Sequence, residues 1–214
     1  MKRDQFILMA DIIGSRNVDQ RLLMEDFMEL VSGINASNRA GFLSPLTITL
    51  GDEFQGVIIG LKETISIILN MEERIITTDN RFKLRYVIVE GAIDTPINTE
   101  VAYGMMGDGL TRARKHIENL KKSEYRFYFN LKDNAKQTAL NNLFIALQDI
   151  IDDWNPDRDY YLVSTFLQYK DYKQVATILD KERSLMWKRN KSLKLDIYDA
   201  LKEVANFIGG NSNA

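Results

Sequence analysis

The sequence predicts an α+β fold: a ferredoxin-like βαββαβ palm followed by a small all-helical helix-turn-helix domain. Three observations carry that expectation. Two apolar, β-branched runs flank Gly51-Asp52-Glu53 and read as an antiparallel hairpin. Strand-like runs alternate with segments whose apolar residues recur every three or four positions, as far as Phe129. Beyond Asp133 every predicted element is helical.

Taken in order, Phe6-Ile7-Leu8-Met9-Ala10 reads as a buried strand that ends in Asp11. Gly14, Ser15 and Arg16 turn the chain, and Asp19 is placed to cap a helix with Leu22, Leu23, Phe27, Leu30, Val31 and Ile34 on one face. Gly41 and Pro45 punctuate before the acidic hairpin. Residues 61–76 fit a second amphipathic helix through Leu61, Ile65, Ile68 and Leu69. The run from Phe82 to Ile93 alternates, then becomes continuously apolar at Tyr86-Val87-Ile88-Val89, as a central strand does. Gly107-Asp108-Gly109 opens a third helix to about Lys122, and Tyr125 to Phe129 alternates as a last strand. The split-βαβ layout puts the first strand beside the hairpin, so Asp11 and Asp52 meet at one edge of the sheet.

After the palm, Ala139, Leu140, Leu143, Phe144, Leu147, Ile150 and Ile151 make one apolar stripe. Asp152-Asp153-Trp154-Asn155-Pro156 stops that helix. The expected division is a palm over residues 1–132, a connecting helix over 133–156 and a helix-turn-helix domain over 157–214. Its helices fall at about 157–169, 171–180 and 183–208, with a frayed tail from Gly209 onward. Trp154 and Trp187 read as core anchors, and Tyr160-Tyr161 as packing at the boundary.

Composition bounds the functions. With 214 residues, 45% hydrophobic and a formal net charge of -2, the chain is an ordinary globular protein with no global pull toward nucleic acid or membrane. The absence of cysteine removes disulfides, thiolate metal sites and thiol nucleophiles. Neither a signal peptide nor a membrane span is expected, and a soluble cytoplasmic protein is the default.

The acidic edge is the candidate site. Crowded carboxylates repel unless a cation lies between them, and Mg²⁺ or Mn²⁺ prefers such oxygen ligands. Asp11 and Asp52 are the expected metal ligands, with Glu53 a third and the backbone carbonyl of Ile12 a fourth. Gly14, Ser15 and Arg16 head the first helix, whose N-terminus suits a phosphate. Taken singly, the two acidic motifs read as a strand end and a polar turn. The single histidine, His116, reads as structural or exposed.

Ala10-Asp11-Ile12-Ile13-Gly14-Ser15 with Leu50-Gly51-Asp52-Glu53-Phe54 resembles the class III nucleotidyl cyclase and GGDEF palm superfamily. Val89-Glu90-Gly91-Ala92-Ile93, Gly104 and Gly107-Asp108-Gly109-Leu110 continue the likeness. The whole chain is similar to the SatD family, a cyclase-like domain followed by a helix-turn-helix. That resemblance implies shared metals on the two aspartates and a bound nucleotide. The cyclases' Asn and, one turn later, Arg fall here on Thr111 and Lys115, with Arg114 out of register. Thr111 joins the nucleotide-binding candidates, and Arg114 and Lys115 are the catalytic ones. The purine-reading Lys falls on Ile48, and the first glycine of a GGDEF signature on Leu50. Metal ligands therefore persist where base-recognition groups do not, which favours binding over rapid turnover.

Residues 171–179 resemble the first helix of a helix-turn-helix, with Ala176 at the crossing and Val175 and Leu179 inward. The second helix is expected to turn Leu185, Met186 and Trp187 inward and to present Lys188, Arg189, Lys191 and Lys194 to DNA phosphates. So small a reader is expected to act as a homodimer. The function expected is a regulatory protein that binds Mg²⁺-nucleotide and DNA. The alternatives are an active cyclase or nucleotidyltransferase, and a degenerate palm acting as an interaction scaffold.

Overall fold

A computed structural model describes residues 4–15, 20–49 and 51–210 of the chain. Five strands and eight helices run in the order β1 (Gln5–Ile12), α1 (Gln20–Ser37), β2 (Phe42–Ile48), β3 (Glu53–Ile58), α2 (Leu61–Thr77), β4 (Leu84–Gly91), α3 (Asp108–Leu120), β5 (Phe127–Asn130), α4 (Asn134–Asp153), α5 (Tyr160–Tyr169), α6 (Tyr172–Ile178), α7 (Arg183–Ser192) and α8 (Leu195–Gly210). The cap expected at Asp19, the turn residue Arg16 and the residues after Gly210 lie outside the described residues, whereas Gly209 and Gly210, expected in a frayed tail, close α8 with Gly209 buried.

The strands form one sheet in the order β2-β3-β1-β4-β5, antiparallel except for the parallel β4–β5 pair. This is the βαββαβ arrangement with one αβ unit added at the edge. Period-two alternation sorts each strand's side chains onto two faces. Leu8, Ala10, Ile58, Leu84, Tyr86 and Ile88 turn to the face covered by α1 and α2. Ile7, Met9, Val57, Val87 and Val89 turn to the other, which α3 covers through Ala113, Ile117 and Leu120. Gly109 lets α3 approach the sheet: a Cβ there would strike the backbone of Gly91 and Ala92.

The helices after β5 continue in the same body as the sheet. Leu140, Phe144, Leu147, Trp154, Val163, Phe166, Met186 and Tyr198 belong to the core that holds Leu8, Phe27 and Ile88. The expected separate helix-turn-helix domain has no core of its own, because α8 packs on both α2 and α4. A buried ion network fastens the joint. Arg126 donates to Glu72 Oε2 (2.9 Å) on α2, to the Leu84 carbonyl (2.8 Å) and, more distantly, to Asp152 on α4, while the Tyr86 hydroxyl donates to Glu72 Oε1 (2.8 Å). Burial opposes the charge on Arg126, but Glu72 with help from Asp152 and Tyr86 more than offsets it, so the guanidinium is held above its ordinary pKa.

Two further expectations are corrected. The helix expected over 183–208 is two helices: Lys194 takes a left-handed conformation (φ 55°), and the Trp154 indole N–H captures the Leu193 carbonyl at 2.9 Å. Trp187 is no core anchor but 48% exposed, like Leu185; only Met186 of that trio is buried. Trp154 and Tyr160 are buried, whereas Tyr161 faces solvent.

Candidate functional site: an acidic edge under the third helix

The register brings the acids together. Asp11 pairs across the sheet with Glu53 on one side and with Arg85 on the other, so all three side chains share the face that α3 covers. From α3, Arg114 and Lys121 lie one heptad apart and reach down together. Arg114 donates to Glu53 Oε2, and Lys121 Nζ lies 3.1 Å from Glu53 Oε1, 3.9 Å from Asp11 Oδ2 and 2.9 Å from Glu118 Oε1. Arg85 donates to Asp11 Oδ2 at 2.9 Å. Asp52 stands at the hairpin tip, where the Ser15 hydroxyl donates to its Oδ2 (2.6 Å) and the Ile12 amide to its carbonyl (2.9 Å).

Asp11 is only 3% exposed, and its Oδ1 has no hydrogen-bond partner among the described residues. Burial pushes this carboxyl up to about 6, against the pull of Arg85 and Lys121 and with a further push from Glu53. The neutral acid is thus favoured by desolvation and only partly opposed by the cations.

These residues do not fit a divalent metal pair. Both oxygens of Glu53 are held by α3 cations, and Asp11 Oδ2 by Arg85. The Lys121 ammonium lies within reach of both Asp11 and Glu53, so a cation shared by these two acids is already supplied by the chain. Mg²⁺ requires near-octahedral oxygen coordination at close range, which this guanidinium and ammonium lining obstructs. Among the described residues no group of three or more His, Cys, Asp or Glu is arranged to hold a metal ion. The expected ligands Asp11 and Glu53 are instead splinted by basic side chains, and no described contact puts the Ile12 carbonyl in a ligand set. Arg85 and Lys121 were not among the sequence candidates. An arginine inside a strand was the available sign for Arg85; Lys121 becomes visible only once α3 is docked.

The other candidates disperse. Gly14 is exposed with a left-handed φ of 72°, and Thr111 is exposed with its hydroxyl on the Gly107 carbonyl at 3.2 Å. Lys115 is exposed, and His116 packs against Tyr128 with the rings tilted by 43° and centroids 4.7 Å apart. Burial, then Arg112 and Lys115, holds that imidazole below its ordinary pKa. Arg112 braces α3 against the Glu90 carbonyl (3.0 Å) and Asn130.

A family model described as the SatD family matches residues 6–208. The chain belongs to the SatD family. Its fold is also similar to solved cyclases. A bacterial light-regulated adenylyl cyclase aligns at 12% identity and a TM-score of 0.40, over 60% of this SatD-family chain and 43% of that chain. The adenylyl cyclase CyaB from P. aeruginosa aligns at 13% identity and 0.40, over 56% and 73%. The catalytic core of a rhodopsin-guanylyl cyclase with converted specificity, in complex with ATPαS, aligns at 15% identity and 0.39, over 53% and 70%. The comparison with curated proteins gives no match.

In this SatD-family chain three of the four expected DNA-binding side chains are engaged within the protein. Arg189 donates to the buried Asp159 at 2.6 Å, Lys191 pairs with Asp196, and Lys194 lies 3.3 Å from Asp149. Only Lys188 of the four is exposed without an ion-pair partner among the described residues. α6 and α7 do pack as neighbours across residues 179–182, where Asp180 takes the left-handed conformation (φ 50°) usually given to glycine.

Proposed function

We propose that this SatD-family chain is a palm scaffold that binds partners without running metal-dependent nucleotidyl transfer. One observation carries the reading: two of the three acids expected to hold the metals are internally neutralised, Asp11 by Arg85 and Glu53 by Arg114 and Lys121, while Asp52 is met by the Ser15 hydroxyl. Opposite charges on one β face and one helix face serve here as a clasp between α3 and the sheet. A positioned cation aimed at substrate is worth orders of magnitude in phosphoryl transfer, and the two cations that reach the edge from α3 and its C-cap, Arg114 and Lys121, are committed to Glu53.

The test is Mn²⁺ calorimetry with and without ATP or GTP, on wild type and Asp52→Ala, alongside mass spectrometry of the nucleotide after long incubation. The scaffold reading expects no Asp52-dependent Mn²⁺ binding and no cyclic or pyrophosphorolytic product. Sub-millimolar Mn²⁺ binding lost in Asp52→Ala would overturn it in favour of the Mg²⁺-nucleotide module or the active cyclase.

DNA binding through α7 is a second reading, supported by Lys181, Arg183 and Lys188, exposed and without ion-pair partners among the described residues. Replacing those three with glutamate abolishes a salt-sensitive gel shift on this reading. Arg189 is unsuitable for that test because it is structural. No shift by wild type at low salt removes this reading.

A further inference from the structure

A second site stands apart from the acidic edge. The cleft between α2 and α5 has a volume of about 540 Å³ and is lined by Asn70, Arg74, Thr77, Ser164, Leu167 and Gln168 among others. Arg74, with Thr78, also borders a smaller cavity of about 300 Å³ toward α1.

Arg74 differs from the other arginines that are not fully exposed. Arg85, Arg114, Arg126 and Arg189 each hold a carboxylate. Arg74 is half-buried, yet among the described residues its guanidinium makes no hydrogen bond or ion pair. Its placement is built all the same. The guanidinium lies flat over Gly33, in the interior of α1, and a Cβ at position 33 would meet its central carbon and both terminal nitrogens. Glycine inside a helix is unfavourable, and here its lack of a side chain is the space the guanidinium occupies.

The lining completes the argument. Asn70, Ser164 and Gln168 make no side-chain hydrogen bond among the described residues, so amide and hydroxyl groups stand free around the arginine. The neighbouring Glu73 is already committed to Tyr198 (3.1 Å) and Lys202. Asp26 and Glu29, across the smaller cavity, are not within ion-pair distance of Arg74. Arg74 sits in the last turn of α2, where a cation suits the helix dipole, but that role needs neither the fork laid over Gly33 nor the open polar cleft beside it.

We infer that the α2–α5 cleft binds a small, hydroxyl-bearing oxyanion whose phosphate or carboxylate takes the Arg74 fork. A guanidinium matches either group with two parallel hydrogen bonds, and the amide and hydroxyl lining suits a sugar-like body. The site does not depend on the acidic edge.

Thermal shift and calorimetry in low-chloride buffer test this, with inorganic phosphate, ribose 5-phosphate and gluconate as probes. The first two against the third separate phosphate from carboxylate. A ribose 5-phosphate or gluconate response is expected in wild type and retained in Asp52→Ala. Arg74→Gln is expected to weaken it by roughly tenfold or more, the value of a charge-assisted pair. Arg74→Lys, which keeps the charge and loses the fork, is expected to fall between. Gly33→Ala is the decisive arm: it improves α1 and leaves Tm unchanged or higher, while displacing the guanidinium and weakening the ligand. No response from any probe, or an equal response in Arg74→Gln, overturns the site. An equal response in Arg74→Lys and wild type reduces it to a helix-end charge.

Discussion

Asp159 and Asp11 are both buried aspartates, 0% and 3% exposed, and they have opposite electrostatic fates. Asp159, just before α5, accepts from the Asn155 amide (3.0 Å), from Arg158 Nη2 (2.8 Å) and from Arg189 Nη2 (2.6 Å). Arg158 above all, with the Asn155 amide and Arg189, holds it down at about 2. Among the described residues Asp11 accepts a hydrogen bond from Arg85 alone and keeps Oδ1 unpartnered, and burial pushes it up to about 6. Burial therefore does not set the charge state of a buried acid; the number of aligned donors does. Asp159 is a finished staple between α5 and α7. Asp11 is an acid whose surroundings satisfy it only in part.

The comparison is broken most directly by Asp159→Ala, which strands Arg189 and the Asn155 amide. Urea unfolding at pH 7 should show a loss of about 3 kcal/mol, as when one partner of a buried pair is removed. A loss no larger than that of an exposed ion pair would mean that the staple is not load-carrying. Next in size is the pH profile of Tm. The folded-state pKa of Asp159 lies below its unfolded value, so its contribution is present above about pH 4 and lost as pH falls toward about 2. That of Asp11 lies above, so its contribution is present below about pH 4 and lost as pH rises through about 6. Each is on the order of 2–3 kcal/mol, and Asp11→Asn should erase the decline between pH 4 and 6 while leaving the acid limb intact.

Lys121→Met sharpens the contrast at smaller cost. Removing a cation that opposes the rise of Asp11 should move that decline to higher pH, with about 1 kcal/mol or less lost at neutrality because Lys121 is 34% exposed. Smallest is Lys188→Glu, which should change stability by no more than about 0.5 kcal/mol, as at any unpaired surface position. The neighbouring Arg189→Glu should unfold the chain near pH 7 by setting a second acid against Asp159. Equal effects at the two positions would refute their assignment as surface and staple.

The strands and helices were legible because burial on one face imposes a period, two along β1 and near 3.6 along α1, α2 and α4. That the first strand lies beside the hairpin was legible too, since the βαββαβ order allows it few neighbours, but the acid that faces Asp11 is Glu53, a third candidate in the sequence, with Asp52 held by Ser15. The break between α7 and α8 was not. It depends on Trp154, far earlier in the chain, claiming the Leu193 carbonyl. Arg189 looked like a reading residue because its helix is basic, and nothing local announces Asp159 thirty residues away.

Through α4 the chain's apolar pattern alone decided which segments are strands, which are helices and which side each turns inward, because that information is repeated within every few residues; in α7, where Leu185 and Trp187 are exposed, it did not. Docking decided what the polar groups do. Arg85 lies 74 residues from Asp11 and Lys121 lies 68 from Glu53, and those distances close only when strand register and the seating of α3 are both set. An ion pair is a property of two addresses at once. The sequence records each address separately, and only the folded chain records that they coincide.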